Sequence, residues 1–185
     1  DVYSFNFNVL PETQAKASFS HTFVNDRTTA KIHIYKVDKE SGKAVAQGDA
    51  SLEGAVYGLY ARNDIVHPDG ATGVVFKAGD LVATLTTDKN GEAEVSNLYL
   101  GNYYVKEITP SEGYLLDEEE HDVVCDYEGD LVAEVSRSTT SAEQVIKQPF
   151  QLIKVSDNGD DTEAGLLAGA EFTAYLKSSL PVKED

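Results

Sequence analysis

Apolar residues in this chain recur at every second position, in short runs, and hardly anywhere at the three-and-four spacing of a helix. The alternating segments are 2–9 (VYSFNFNV), 17–24 (ASFSHTFV), 31–37 (KIHIYKV), 55–61 (AVYGLYA), 81–87 (LVATLTT), 93–100 (AEVSNLYL), 102–108 (NYYVKEI), 121–127 (HDVVCDY), 131–136 (LVAEVS) and 144–155. Side chains of a strand point to opposite faces in turn, so such runs build half-buried strands. Turn signals separate them: Asp88-Lys89-Asn90-Gly91, Pro68-Asp69-Gly70 and Asp157-Asn158-Gly159. Many short strands at this spacing predict an all-β antiparallel sandwich or barrel.

An internal repeat sets the layout. The segment 32–61 (IHIYKVDKESGKAVAQGDASLEGAVYGLYA) matches 150–176 (FQLIKVSDNGDDTEAGLLAGAEFTAYL). Lys36-Val37 aligns with Lys154-Val155, and Leu52-Glu53-Gly54-Ala55 with Leu167-Ala168-Gly169-Ala170. The spacing of the two copies suits one sandwich domain per unit. Three regions are expected: residues 1–27 as the last strands of a preceding unit, 28–148 as one complete unit, and 149–185 as the first strands of a following one. The chain opens within the pattern, at Asp1, and reads as a mature region or fragment of a longer protein.

The formal charge is −17, from 15 basic and 32 acidic residues. Phosphate binding needs dense positive charge, so nucleic acid and anionic membrane are disfavoured as partners. No apolar run approaches the roughly 18 residues of a membrane-spanning helix. Cys125 is the single cysteine, which rules out an intrachain disulfide and a cysteine-built zinc site. Its phase with Val123 predicts an inert core residue. His21, His33, His67 and His121 stand on separate segments without metal spacing, so no metal or other cofactor is expected. Asp88, Asn90 and Glu92 open like a calcium loop. The required glycine and closing glutamate are missing, leaving a hairpin turn. The acidic run 117–120 reads as a charged loop. No nucleophile elbow, phosphate loop or dinucleotide fingerprint occurs, so no turnover chemistry is expected.

Three motifs carry a family resemblance: KVDKESGKAV with LEGAVYGLY, the stretch TTDKNGEAEVSNLYLGNYYVKEITPSEGYLLDEE (86–119), and the second copy at 150–176. Together they resemble the Cna protein B-type domain, the prealbumin-like module of Gram-positive surface adhesins and pilin backbones. The resemblance implies an extracellular, wall-attached stalk or pilus shaft whose partners are neighbouring domains of the same kind. An alternative is a ligand-binding module for host matrix protein or glycan, with the insertion 62–83 as its platform.

The resemblance also implies a self-formed isopeptide bond. In many domains of that family a first-strand lysine joins an asparagine or aspartate of the last strand, assisted by a buried acid. Alternation puts Lys36 on the face of Ile32 and Ile34, and Lys154 on that of Phe150 and Leu152. Glu107 is in phase with Tyr103 and Val105, where the family keeps its acid, and is expected beside Lys36. It is either the assisting acid or a buried counter-ion. The segment 141–150 holds neither Asn nor Asp, so Gln144 and Gln148 stand as the acceptor candidates of the complete unit. Asn25, in phase with Phe19 and Phe23, is the acceptor candidate of the preceding one.

Overall fold

The computed structural model describes residues 26–155, 157, 169–175 and 180. All regular structure among them is β. The strands are β1 (Thr29–Asp38), β2 (Val56–Ala61), β3 (Ile65–Val66), β4 (Val74–Phe76), β5 (Leu81–Thr86), β6 (Glu92–Leu98), β7 (Gly101–Thr109), β8 (Glu120–Cys125) and β9 (Glu134–Glu143). One sheet has the order β6-β1-β9, the other β5-β2-β7-β8, and β3-β4 form a small hairpin inside the insertion 62–83. The expected all-β sandwich is present.

Ile32 and Ile34 of β1 face Leu59 of β2 and Val105 of β7, all four fully shielded from solvent. Such side chains each contribute about 1.5–3 kcal/mol by leaving water. Pairing is antiparallel except at one place. The first strand, β1, runs parallel to the last, β9, with Thr29 opposite Glu134 through to Asp38 opposite Glu143. Parallel neighbours need a long crossover, and here the whole of β2–β8 is that connection.

Two turns fix the end of the sandwich that holds the charged residues. Gly91 has φ +76°, and a Cβ there would stand 2.6 Å from the Lys36 carbonyl oxygen. The Lys36 N–H donates to the Gly91 carbonyl at 2.7 Å, so this hairpin is drawn onto β1. Gly113, at φ +82°, presses its backbone against Ala50, leaving no room for a side chain. Beyond it, Leu115 N–H donates to Gln144 O and Ile146 N–H to Gly113 O, which ties down the exit of β9.

The strand boundaries depart from expectation at the C-terminal side. The last strand is Glu134–Glu143; residues 144–155 carry only an isolated bridge between Tyr114 and Val145. Most of β9 reads Ser-Arg-Ser-Thr-Thr-Ser and has no apolar alternation to reveal it. It is a strand because β1 offers it a complete hydrogen-bonding edge. Residues 1–25, and with them the expected preceding unit, lie outside the described residues.

Candidate functional site: a buried lysine between two glutamates

Alternation brings Ala30, Ile32, Ile34, Lys36 and Asp38 of β1 to the interior, so the strand turns from apolar to charged without changing face. Lys36 is fully buried, a rare condition for lysine unless it is paired. Its Nζ lies 3.5 Å from Oε1 of Glu107 on β7 and in contact with Oε2 of Glu143 on β9. All three side chains are shielded from solvent. The three facing atoms, Lys36 Nζ, Glu107 Oε1 and Glu143 Oε2, make no directed hydrogen bond among the described residues. They meet at close range, without hydrogen-bond geometry.

The remaining oxygens are held firmly. Glu107 Oε2 accepts the Asp117 N–H at 2.8 Å. Glu143 Oε1 accepts the Tyr57 hydroxyl at 2.5 Å and lies 3.2 Å from the Ser141 hydroxyl. The Tyr114 ring closes the other side, its centroid 4.7 Å from Lys36 Nζ. Its hydroxyl reaches Asp38 Oδ2 at 3.4 Å. Asp117, the most exposed acid around this centre, also accepts from Ser141 at 2.9 Å and pairs with His121 at 2.8 Å.

Burial sets the electrostatics. It lowers the Lys36 pKa from 10.5, only partly opposed by the charge of Glu107. It raises the Glu107 pKa from 4.5, against the Asp117 N–H and Lys36, which favour the carboxylate. Both shifts favour the uncharged forms, an amine and a carboxylic acid. A neutral buried amine is a nucleophile, and a neutral carboxylic acid beside it can give and take protons. Asp117 behaves differently: burial pushes it up, but hydrogen bonds from His121, the Glu119 N–H and Ser141 leave it below its usual value.

The structure brings Lys36 and Glu107 together but directs the glutamines elsewhere. Gln144 points outward, donating to Glu40 Oε1 at 2.7 Å, and Gln148 is exposed. Lys154 lies outside any strand, and Asn25 lies outside the described residues. Sequence reasoning missed Glu143. Counting in twos from the buried Val135 gives Ser141 and then Glu143, but the polar run between them concealed the strand.

Other expected features fall away from this centre. Asp88 Oδ1 accepts the N–H groups of Asn90 and Glu92, as a hairpin turn requires. Cys125 is buried, and burial pushes its thiol up to about 11. One ligand atom each from Asp117, Glu119 and His121 lies within 4.8 Å of the others, with Asp117 already bonded to His121. The β3–β4 hairpin supplies Val66 to a cleft of about 200 Å³ also lined by Arg27, Tyr99 and Tyr127.

No curated protein matches. Among solved structures, the group B streptococcus pilus 2b backbone protein is similar at 21% identity and a TM-score of 0.44, over 66% of this chain and 43% of its own. The minor pilin GBS52 of Streptococcus agalactiae is similar at 22% identity and a TM-score of 0.43, over 69% and 49%. A streptococcal ancillary pilin is similar at 29% identity and a TM-score of 0.41, over 65% and 34%. The chain thus spans less than half the length of these proteins. A family model, the SpaA prealbumin-like fold domain, matches residues 30–139, more than half of the chain. The chain therefore belongs to the SpaA family of prealbumin-like fold domains.

Proposed function

We propose that this chain is a load-bearing module of an extracellular, wall-attached pilin or adhesin shaft, clamped between its first and last strands. The observation that carries the reading is the parallel pairing of β1 with β9 over ten residues. In a parallel pair the chain enters at Thr29 and leaves at Glu143, at opposite ends of the same two strands. Modules joined this way string in line. Pulling on the chain shears the whole register at once instead of unzipping it bond by bond.

The charged centre lies where such a load leaves the module. Lys36 on β1 contacts Glu143 on β9, so a covalent join there would carry force from strand to strand and bypass everything between. The proposed bond is an amide between Lys36 Nζ and Glu143 Cδ, with Glu143 in place of the glutamine acceptors. As the N–C bond forms, the Cδ–Oε2 bond breaks. The oxygen departs as water, with one proton from the attacking lysine amine and one from the Glu107 carboxylic acid, which is left as a carboxylate. Burial of all three groups, and the neutral forms it favours for Lys36 and Glu107, support this reading. Without the bond, the same residues form an ionic latch at the same place.

Intact mass tests the bond directly. The linked 185-residue chain weighs one water less than its sequence, and Lys36→Ala or Glu143→Ala restores the full mass. A full mass for the unaltered chain rejects the amide. Single-molecule pulling tests the load-bearing role. Lys36→Ala is expected to release roughly a hundred extra residues, about 350 Å of contour at 3.3–3.6 Å per residue.

The cleft beside the β3–β4 hairpin favours a second reading, a ligand-binding module for matrix protein or glycan. Saturable binding that trimming residues 64–80 abolishes would support it.

A further inference from the structure

The two oxygens of Glu143 have different surroundings. Oε2 faces Lys36 Nζ and accepts no hydrogen bond, whereas Oε1 lies between two hydroxyls: Tyr57 at 2.5 Å and Ser141 at 3.2 Å. Tyr57 comes from β2 in the opposite sheet and Ser141 from β9 itself. Tyr57 is fully buried and Ser141 is 1% exposed, so neither hydroxyl is surrounded by solvent.

We propose that the Tyr57 and Ser141 hydroxyls form an oxyanion site for Glu143 Oε1 during closure of the Lys36–Glu143 amide. The inference rests on the amide reading above. When Lys36 Nζ attacks Cδ, the carbon becomes tetrahedral and negative charge gathers on the oxygen that will remain as the amide carbonyl. The hydrogen bonds select Oε1 for that role. Oε2, which has no donor of its own, takes one proton from the amine and one from Glu107 and leaves as water. Donors already aimed at such an oxygen in a dry site need no reorganisation as charge develops.

The two donors are unequal. Ser141 has one hydroxyl proton and two acceptors within reach, Glu143 Oε1 and Asp117 Oδ2, the latter nearer at 2.9 Å. His121 also bonds Asp117 Oδ2, and so competes with Ser141 for it. Tyr57 has a single acceptor in Glu143. Burial raises the Tyr57 pKa, so its proton stays in place across the neutral range. Tyr57 is therefore the main donor and Ser141 the auxiliary one. The second copy of the repeat has Phe172 where this one has Tyr57, which makes Tyr57→Phe a replacement the framework itself uses.

The test follows bond closure in time. The full chain is made by cell-free synthesis, and intact mass is read at intervals for the unaltered sequence, Tyr57→Phe and Ser141→Ala. Amide hydrogen exchange verifies that each variant has folded. The expected result is a water loss slowed about 100-fold in Tyr57→Phe, as for other single oxyanion donors. In Ser141→Ala it slows by less than in Tyr57→Phe, because that hydroxyl is shared with Asp117 Oδ2. A merely structural hydroxyl would lower stability and leave the rate of water loss unchanged. Folded Tyr57→Phe closing at the unaltered rate overturns the oxyanion site and leaves the amide standing. If Tyr57→Phe does not fold, Ser141→Ala at the unaltered rate overturns the pair. An unaltered chain that never loses water overturns the amide and this inference together.

Discussion

The interior of the sandwich has two ends built from the same strands. At one end, Ile32, Ile34, Leu59 and Val105 meet as ordinary apolar packing. At the other, the same inward phase of β1, β7 and β9 delivers Lys36, Asp38, Glu107 and Glu143, capped by Tyr57 and Tyr114. Backbone geometry is shared, so the difference lies wholly in side-chain chemistry. The apolar end contributes stability that needs no partner, in proportion to the area removed from water. The charged end contributes only if its groups remain together. Its desolvation cost is comparable to the attraction that offsets it, and an ion pair is a poor reason to bury three charges for stability alone. A clamp gives that end a reason the apolar end cannot supply.

Replacing Lys36 should break the contrast most severely. Lys36→Ala leaves Glu107 and Glu143 buried without their cation, which costs about 3–5 kcal/mol. A lost cross-link over a loop of about a hundred residues adds about 4–5 kcal/mol on the loop-entropy account. Lys36→Met removes the link and the charge but keeps the volume. The gap between Met and Ala in urea unfolding then measures how much belongs to packing. Equal losses in the two would show that packing of the Lys36 stem contributes nothing and that the whole effect belongs to its charge and link.

At the apolar end, Ile34→Ala should cost about 2–5 kcal/mol in the same experiment, through lost transfer energy and an unfilled cavity. It should leave the one-water mass deficit in place, since Ile34 carries no reacting group. A variant that lost both stability and the ability to shed water would show that the two ends are coupled.

The sequence made one side of the charged end legible. Lys36 and Glu107 are each embedded in an apolar alternation, Ile32-x-Ile34-x-Lys36 and Tyr103-x-Val105-x-Glu107, so phase alone turns them inward. Glu143 sits in Ser-Thr-Thr-Ser-Ala-Glu, where nothing apolar marks the face. That strand exists because β1 has a free edge, a tertiary fact that local periodicity does not carry. The parallel direction of β9 was equally hidden, since a period of two is the same in either direction. The hairpin turns were legible for the opposite reason: Asp88 accepts from N–H groups two and four residues on, and Gly91 and Gly113 mark their turns by their own positive φ, although what they press against is tertiary.

Titration distinguishes an ionic latch from a covalent one. Glu107 has a pKa raised above 4.5 on folding, so the folded chain holds more protons than the unfolded chain above that pH. Its contribution to stability must fall as pH rises from about 4.5 through the folded pKa. Unfolding measured against Glu107→Gln should show this decline, and a parallel pair of curves would contradict it. Lys36 has the opposite sign. Its lowered pKa means that a free amine gains stability as pH rises towards 10.5. An amide cannot titrate. The alkaline gain should therefore be absent from the linked chain and present in Glu143→Ala, where the amine stays free.

The smallest effect is expected from charges that look similar on paper. Arg62 donates to Glu120 at 2.8 Å and to Asp122 at 2.5 Å, with its guanidinium 4.0 Å from the Tyr104 ring centroid. Like Lys36 it is one cation facing two acids, but its side chain is 34% exposed and water already solvates every partner. Removing it strands no buried charge. Arg62→Ala should lower stability only slightly, far less than any change at the charged end, and that loss should shrink as salt is added. The loss in Lys36→Ala should hardly respond to salt, because ions do not enter a sealed centre. A strong salt response there would mean that water reaches Lys36. It would also remove the desolvation on which the clamp chemistry depends.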